Sequence, residues 1–399
     1  MTTMPEWLEE IGRRQDDLVA LRRDFHRHPE LSFEERRTAE IIAERLSAAK
    51  LEVRSGIAGT GVVGVLRGDR PGRTIAWRAD IDALPLTERL AAPFASATAG
   101  VMHACGHDGH TAVAIELADI LAARRAEMPG TAVFIFQPAE EIIAGARPMI
   151  EAGVLDDPRV DEVYGLHFMS TLAAGRVQAR PGPHLASCDY FSVEVRGQGG
   201  HGAMPHLSVD PMVAAANILL GIPTLVAREV PAQETAVMTV GQIVSGTKGN
   251  IIPDSAMMHG TLRAYEEQVR QLLKGRLGSY AAAIARAYRT EAEVKWEGGS
   301  CPACVNSEAE TAFVRRCAAS VLGEAAVEEG EPAMPSDDMS LFLRERPGCY
   351  FRVGVQPTDG RPHPHHAPEF ELNEAGLMAG LRVALAVMRR ALASPRGDV

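Results

Sequence analysis

The chain has 399 residues, 46% hydrophobic and 23% charged, a composition near the globular average that excludes a disordered chain, a fibrous repeat or a small disulfide-stapled module. Fifty-two acidic residues against 41 basic ones leave a formal charge of −11, and the arginines are scattered among acids rather than gathered, which argues against a nucleic-acid partner. The longest apolar run, 212–227, is interrupted by Asn217, Gly221 and Pro223 and falls short of the ~20 residues that span a bilayer, and the first ten residues lack the pattern of a secretory signal, so a cytoplasmic chain with no membrane partner is expected.

In chain order, apolar residues at helical spacing predict helices over 7–26 and 33–50, separated by Pro29. Short β-rich runs at 62–66, 74–77, 131–136 and 162–166 predict strands of a central sheet, with a helix over 111–125 between them. Near Ser187 the pattern changes to the strict alternation of Phe191-Ser-Val-Glu-Val-Arg196, a strand wet on one side. Asp210 and Pro211 suit the cap and first turn of a following helix. Strands over 235–243 and 256–264, a helix over 266–289 and a strand over 291–296 complete a β-α-β-β-α-β order, the ferredoxin-like arrangement. A helix over 309–322, a strand over 349–353 and a helix over 374–392 return to the first pattern. The expected architecture is α/β: a mixed-sheet domain made of 1–186 and 298–399, interrupted by a small inserted domain over 187–297.

Four of these strands run into loops rich in metal-ligand residue types. They are Asp80 and Asp82, the string from His103 through Cys105, His107 and Asp108 to His110, the pair Glu140-Glu141, and His167, with a fifth group at His363, His365 and His366. Open α/β sheets place their sites beyond the carboxyl ends of strands, so these segments should converge. Burying so many ionisable groups together is costly unless a cation neutralises them, and the mixture of thiolate, imidazole and carboxylate suits manganese or zinc, then cobalt or nickel, as one or two ions. Cys105 admits a second reading as a thiolate nucleophile with His107 as its base, although neighbouring acids would raise its pKa without a cation. Glu140 and Glu141 diverge as neighbours on a strand exit, so one can hold metal while the other faces the attacking water. Cys301-Pro-Ala-Cys304 has the spacing of a metal or redox hook but no partner pair, and is read as buried thiols of a reducing compartment.

The strings Asp24-Phe-His-Arg-His-Pro-Glu-Leu-Ser-Phe33, Arg78-Ala-Asp-Ile-Asp-Ala-Leu-Pro85, His103-Ala-Cys-Gly-His-Asp-Gly-His110, Phe136-Gln-Pro-Ala-Glu-Glu141, Gly199-Gly-His-Gly-Ala-Met-Pro-His206 and His366-Ala-Pro-Glu-Phe370 resemble the hippurate hydrolase and auxin-conjugate hydrolase subfamily. This subfamily belongs to the metallopeptidase clan that includes aminoacylase and glutamate carboxypeptidase. The resemblance implies metal ligands Cys105, His107, Glu141, His167 and His366, with Glu140 as general base and Asp82 as the acid that orients a ligand imidazole. Chemistry alone does not separate His365 from His366; only the motif selects the second. The wider clan has a His near Asp80 and a bridging Asp, where this chain has an Asp and Cys105.

By the same resemblance the inserted domain is a lid that forms a homodimer, with His201 reaching the partner's site and Asn250 and Arg263 holding the substrate's carboxylate and carbonyl oxygen. The expected activity is metal-dependent hydrolysis of the amide of an N-acyl amino acid, the partner being that small molecule. Alternatives are a dipeptidase or deacetylase on the same scaffold, and a catalytically silent metal- or amino-acid-binding protein.

Overall fold

The computed structural model describes residues 4–361 and 363–394; the outermost residues of the expected first and last segments, 1–3 and 395–399, lie outside it. The chain divides into two compact bodies. The first comprises the residues up to His184, Val305–Glu331 and those from Asp338 onward, and the second comprises Leu185–Cys304 with a short return at Pro332–Asp337.

The first body is built on an eight-stranded mixed sheet. Pro129–Gln137 lies near its middle and reads as a continuous apolar run because both faces are covered, which leaves Val133 through Phe136 without solvent contact. It pairs in parallel with Arg70–Asp80, which pairs in parallel with Glu162–Met169, and that strand in turn with Gly348–Gly354. Gly61–Arg67 and Glu52–Ile57 extend the other side by antiparallel pairing. Two helices, His107–Ala123 and Ala375–Ala393, are buried almost all round; the first carries the polar His107, Asp108 and His110 at its start and buries Glu116 as well, and apart from its arginines the second is apolar.

Several elements differ from expectation. The helix over 7–26 is two helices, Met4–Arg13 and Gln15–Arg27, with the break at Arg14, whose guanidinium reaches Glu10 and the buried Glu116. Glu52–Ile57 carries no apolar alternation because it is a largely wet edge strand. The short helices Ala146–Glu151 and Met339–Glu345 have too few turns to show a period.

The second body has a four-stranded antiparallel sheet in the order Ala236–Ser245, Ser255–Ala264, Asp189–Arg196, Glu291–Trp296. Phe191, Val193, Val195, Met258 and Leu262 form its inner face, against helices Pro211–Glu229 and Glu267–Ala287. Asp210 caps the first of these by accepting from the Met212 amide at 2.9 Å, with Pro211 in the first turn. That helix runs through Pro223 and, at 19 residues, is long and apolar enough to cross a membrane by length and composition, contrary to the reading of an interrupted run. Its inward stripe, Ala214, Ala215, Ile218, Ile222 and Leu225, is core of the second body, whereas Met212, Val213 and Leu220 are exposed. All six cysteines are buried thiols.

Candidate metal centre

Three parallel strands deliver their carboxyl ends to one edge of the first body's sheet: Asp80 ends one, Gln137 precedes the turn that carries Glu140 and Glu141, and His167 lies near the end of the third. His107 opens the helix His107–Ala123 directly after Gly106, whose φ of +92° is a left-handed turn suited to glycine. His366 arrives from the far end of the chain, its amide donating to the Ala104 carbonyl at 2.9 Å.

These side chains meet. Ligand atoms of Cys105, His107 and His167 all lie within 4.8 Å of one another, as do those of Cys105, Glu141 and His366, and those of His107, Glu140 and Glu141. Cys105 Sγ is 3.5 Å from His167 Nε2, and His366 Nε2 is 3.3 Å from Glu141 Oε2. All five residues expected as ligands therefore share overlapping triads, with Glu140 in contact.

Hydrogen bonds fix which nitrogens face the centre. His107 Nδ1 donates to the Asp82 carbonyl at 2.9 Å and His167 Nδ1 to the Phe168 carbonyl at 2.8 Å, which leaves each Nε2 with a lone pair directed inward. His365 Nε2 donates to the same Phe168 carbonyl at 2.8 Å and is thereby occupied, whereas His366 faces Glu141. The two histidines therefore have different surroundings, one bonded to a backbone carbonyl and the other beside a carboxylate. His110 lies beside Asp80 and His107 but is used at both nitrogens: Nδ1 donates to Asp80 at 2.6 Å and Nε2 accepts from the Phe168 amide at 2.9 Å.

His107 Nε2 and Glu141 Oε1 are buried with no hydrogen-bond partner. A lone pair and a carboxylate oxygen left so are costly, and a cation between them is what would satisfy both. Thiol, imidazole and carboxylate donors together fit a divalent transition ion. Burial first, and then the Glu141 charge, push the Cys105 thiol well above its ordinary pKa, so in the absence of a cation it is no thiolate. Burial also raises Glu141 to about 8, against the lowering influence of His107 and with the Asp82 and Asp80 charges adding to the rise.

The Asp82 carboxylate, expected to orient a ligand imidazole, is engaged chiefly elsewhere. Its carboxylate lies 3.4 Å from His107 Nδ1, but the closer bonds are to the Glu140 amide at 3.1 Å, the Glu141 amide at 3.0 Å and the Ser32 hydroxyl at 2.7 Å. The backbone carbonyl of Asp82, rather than its carboxylate, takes the His107 proton, because the side chain is already turned toward the Glu140 turn. Behind it Arg78 bridges Asp80 at 2.6 Å, Gln137 at 2.9 Å and Asp338 at 3.1 Å, and Asp338 also accepts from the Ala146 amide. Burial opposes the Asp80 charge, yet His107, Arg78 and His110 together hold its pKa well below the usual range. His110 belongs to the ligand-rich string that the sequence singled out, three residues after His107 on the same helix face, whereas Ser32, Arg78 and Asp338 were given no part in the site, because their partners lie far away in the chain.

His201, Asn250 and Arg263 belong to the second body. His201 is exposed on the two-residue strand Gly200–His201, paired with Ile251–Ile252, and its Nδ1 accepts from the Ala203 amide at 3.1 Å. Asn250 is its exposed neighbour, bonded through its carbonyl to the Gly202 amide. Arg263 is half-buried and donates to the Met334 carbonyl at 3.0 Å and the Ser336 hydroxyl at 3.3 Å.

Comparison with known proteins agrees with this geometry. The model of peptidase family M20/M25/M40 matches residues 76–390. An N-acetylcysteine deacetylase of Bacillus subtilis is 40% identical over 363 residues, covering 90% of this chain and 93% of its own. IAA-amino acid hydrolase ILR1-like 4 of Arabidopsis thaliana is 35% identical, covering 98% of this chain and 90% of its own. The crystal structure of a dinuclear metal-binding M20 peptidase from Bacillus subtilis superposes with a TM-score of 0.82 at 34% identity, covering 96% of this chain and all of that one.

Proposed function

Because the chain belongs to peptidase family M20/M25/M40 and is a metal-dependent amide hydrolase, we propose that its substrates are N-acyl amino acids, split into a carboxylic acid and a free amino acid. The observation that carries this reading is the set of interlocking triads around His107 Nε2 and Glu141 Oε1, which make no hydrogen bond and lie 3.8 Å apart, with Glu140 beside them. The names of the deacetylase and the amino-acid-conjugate hydrolase support the substrate class.

In this reading Cys105, His107, Glu141, His167 and His366 hold one or two divalent ions, manganese or zinc, which when bound make water more acidic and polarise the scissile carbonyl. Glu140 takes the proton of the attacking water and later delivers it to the departing amine. Asp82 holds Glu140 and Glu141 through their amides, so the base does not drift as it changes charge. His201 stabilises the developing oxyanion, and Asn250 and Arg263 grip the substrate's carboxylate and carbonyl.

The protein is further read as a cytoplasmic homodimer joined through the second body. Its edge strand exposes Val237, Ile243 and Val244, and its helix Pro211–Glu229 exposes Met212, Val213 and Leu220, more apolar surface than an isolated body needs. Incubation with hippurate, N-acetyl amino acids and dipeptides, with and without chelator, tests the reaction. Metal-dependent amine release from acyl amino acids is expected; release from dipeptides alone would make it a dipeptidase, and none from any of them a binding protein.

A further inference from the structure

Glu35 precedes the helix Arg36–Ala48 and is fully buried, yet its side chain makes no cap to that helix. Instead Oε1 accepts the Ala139 amide at 2.9 Å, 104 residues away in sequence, and Oε2 accepts the Thr60 hydroxyl at 2.5 Å. Ala139 has a φ of +53°, a left-handed conformation that L side chains resist. The next two amides, of Glu140 and Glu141, go to Asp82. Three successive N–H groups are therefore held by two buried carboxylates, and the Ala139 carbonyl closes the turn by accepting from the Ala144 amide at 3.0 Å.

We propose that Glu35 is a positioning residue for the hydrolytic reaction: by holding Ala139 in the left-handed conformation, it sets where the side chains of Glu140 and Glu141 lie. Released from Glu35, Ala139 would relax toward negative φ, and the two carboxylates that follow would swing with the backbone. The inference rests on the functional reading above, in which Glu140 is the base and Glu141 a ligand. It extends that reading to a residue whose side chain touches neither substrate nor ion.

The test uses the full chain with manganese or zinc. Glu35→Ala should lower kcat about 10- to 100-fold with KM changed less than about threefold, and should weaken metal binding, read by chelator competition, by a similar factor. Glu35→Gln keeps an acceptor for the Ala139 amide and should retain most of both. Adding Ala139→Gly to Glu35→Ala should restore at least about tenfold in kcat, because glycine adopts positive φ without penalty. A residue serving only stability would give no such gain, since glycine elsewhere loosens a backbone. Wild-type kcat and metal affinity in Glu35→Ala, or no recovery on adding Ala139→Gly, would overturn the proposal. If Glu35→Ala does not fold, Thr60→Val, which removes the other partner of Glu35, should lower metal affinity measurably, and unchanged affinity would overturn it. A wild-type protein that hydrolyses no N-acyl amino acid would defeat the functional reading, while metal affinity would still decide for or against Glu35.

Discussion

The turn that carries Glu140 and Glu141 and the strand pair that carries His201 and Asn250 are both short connections bearing polar side chains, but they are built in opposite ways. In the turn the amides of Ala139, Glu140, Glu141 and Ala146 end on three buried carboxylates, Glu35, Asp82 and Asp338. In the strand pair a two-residue ladder supports exposed side chains, and the His201 ring makes a single bond to a neighbouring amide. The first is fixed before any substrate arrives, which is what groups that must hold a cation and move a proton require. The second leaves its polar side chains exposed, held by the backbone of a two-residue ladder rather than by buried partners.

This contrast can be broken or sharpened. The largest effect is expected at Glu140, where Glu140→Gln should keep bound metal but lower kcat by about 100- to 10,000-fold, the usual worth of a general base; a near-normal rate would remove Glu140 from the chemistry. Next is His201→Ala, for which a loss of about 100- to 1,000-fold in kcat is expected, as for one oxyanion donor, with metal content and melting temperature unchanged. If metal content fell as well, the two regions would not be independent. Metal removal should destabilise the first region alone: saturating ion at about 100 times its Kd adds about 2.7 kcal/mol to folding, seen by calorimetry as a chelator-sensitive rise in Tm. A chelator with no effect on Tm would show that the site does not bind an ion in the folded state.

The smallest effect concerns the frame of the second body. Asp189 is buried and bonded to Arg270 at 2.6 and 2.9 Å, Lys274 at 2.8 Å and Ser300 at 2.6 Å. Burial opposes its charge, but these donors prevail and hold its pKa below the ordinary carboxylate value. A depressed folded pKa gives stability that is full above the unfolded value near 3.9 and is lost as pH falls through it toward the folded value. Thermal unfolding followed from pH 6 to pH 3 should therefore be less steep in Asp189→Asn than in the wild type, and parallel profiles would contradict the assignment.

Much of this was legible in the sequence wherever a residue's surroundings are local or uniform. The strand Pro129–Gln137 announced itself because both its faces are apolar, and the Asp210-Pro211 helix start because a cap needs only its own next turn. Glu52–Ile57 did not, since an edge strand has little to bury. At the site the ligand residue types cluster in short strings, so Cys105, His107 and the Glu140-Glu141 pair stood out. His365 and His366 could not be told apart because the choice depends on a carbonyl at Phe168, and Glu35 was hidden because its partner is a backbone amide far away in the chain.

The most direct test of the central claim is X-ray absorption on the metal-loaded protein, wild type against Cys105→Ser. The account predicts a sulfur scatterer at about 2.3 Å from zinc in the wild type, absent in the variant, together with nitrogen and oxygen ligands near 2.0–2.2 Å in both. A spectrum without sulfur, or one that Cys105→Ser leaves unchanged, would contradict it.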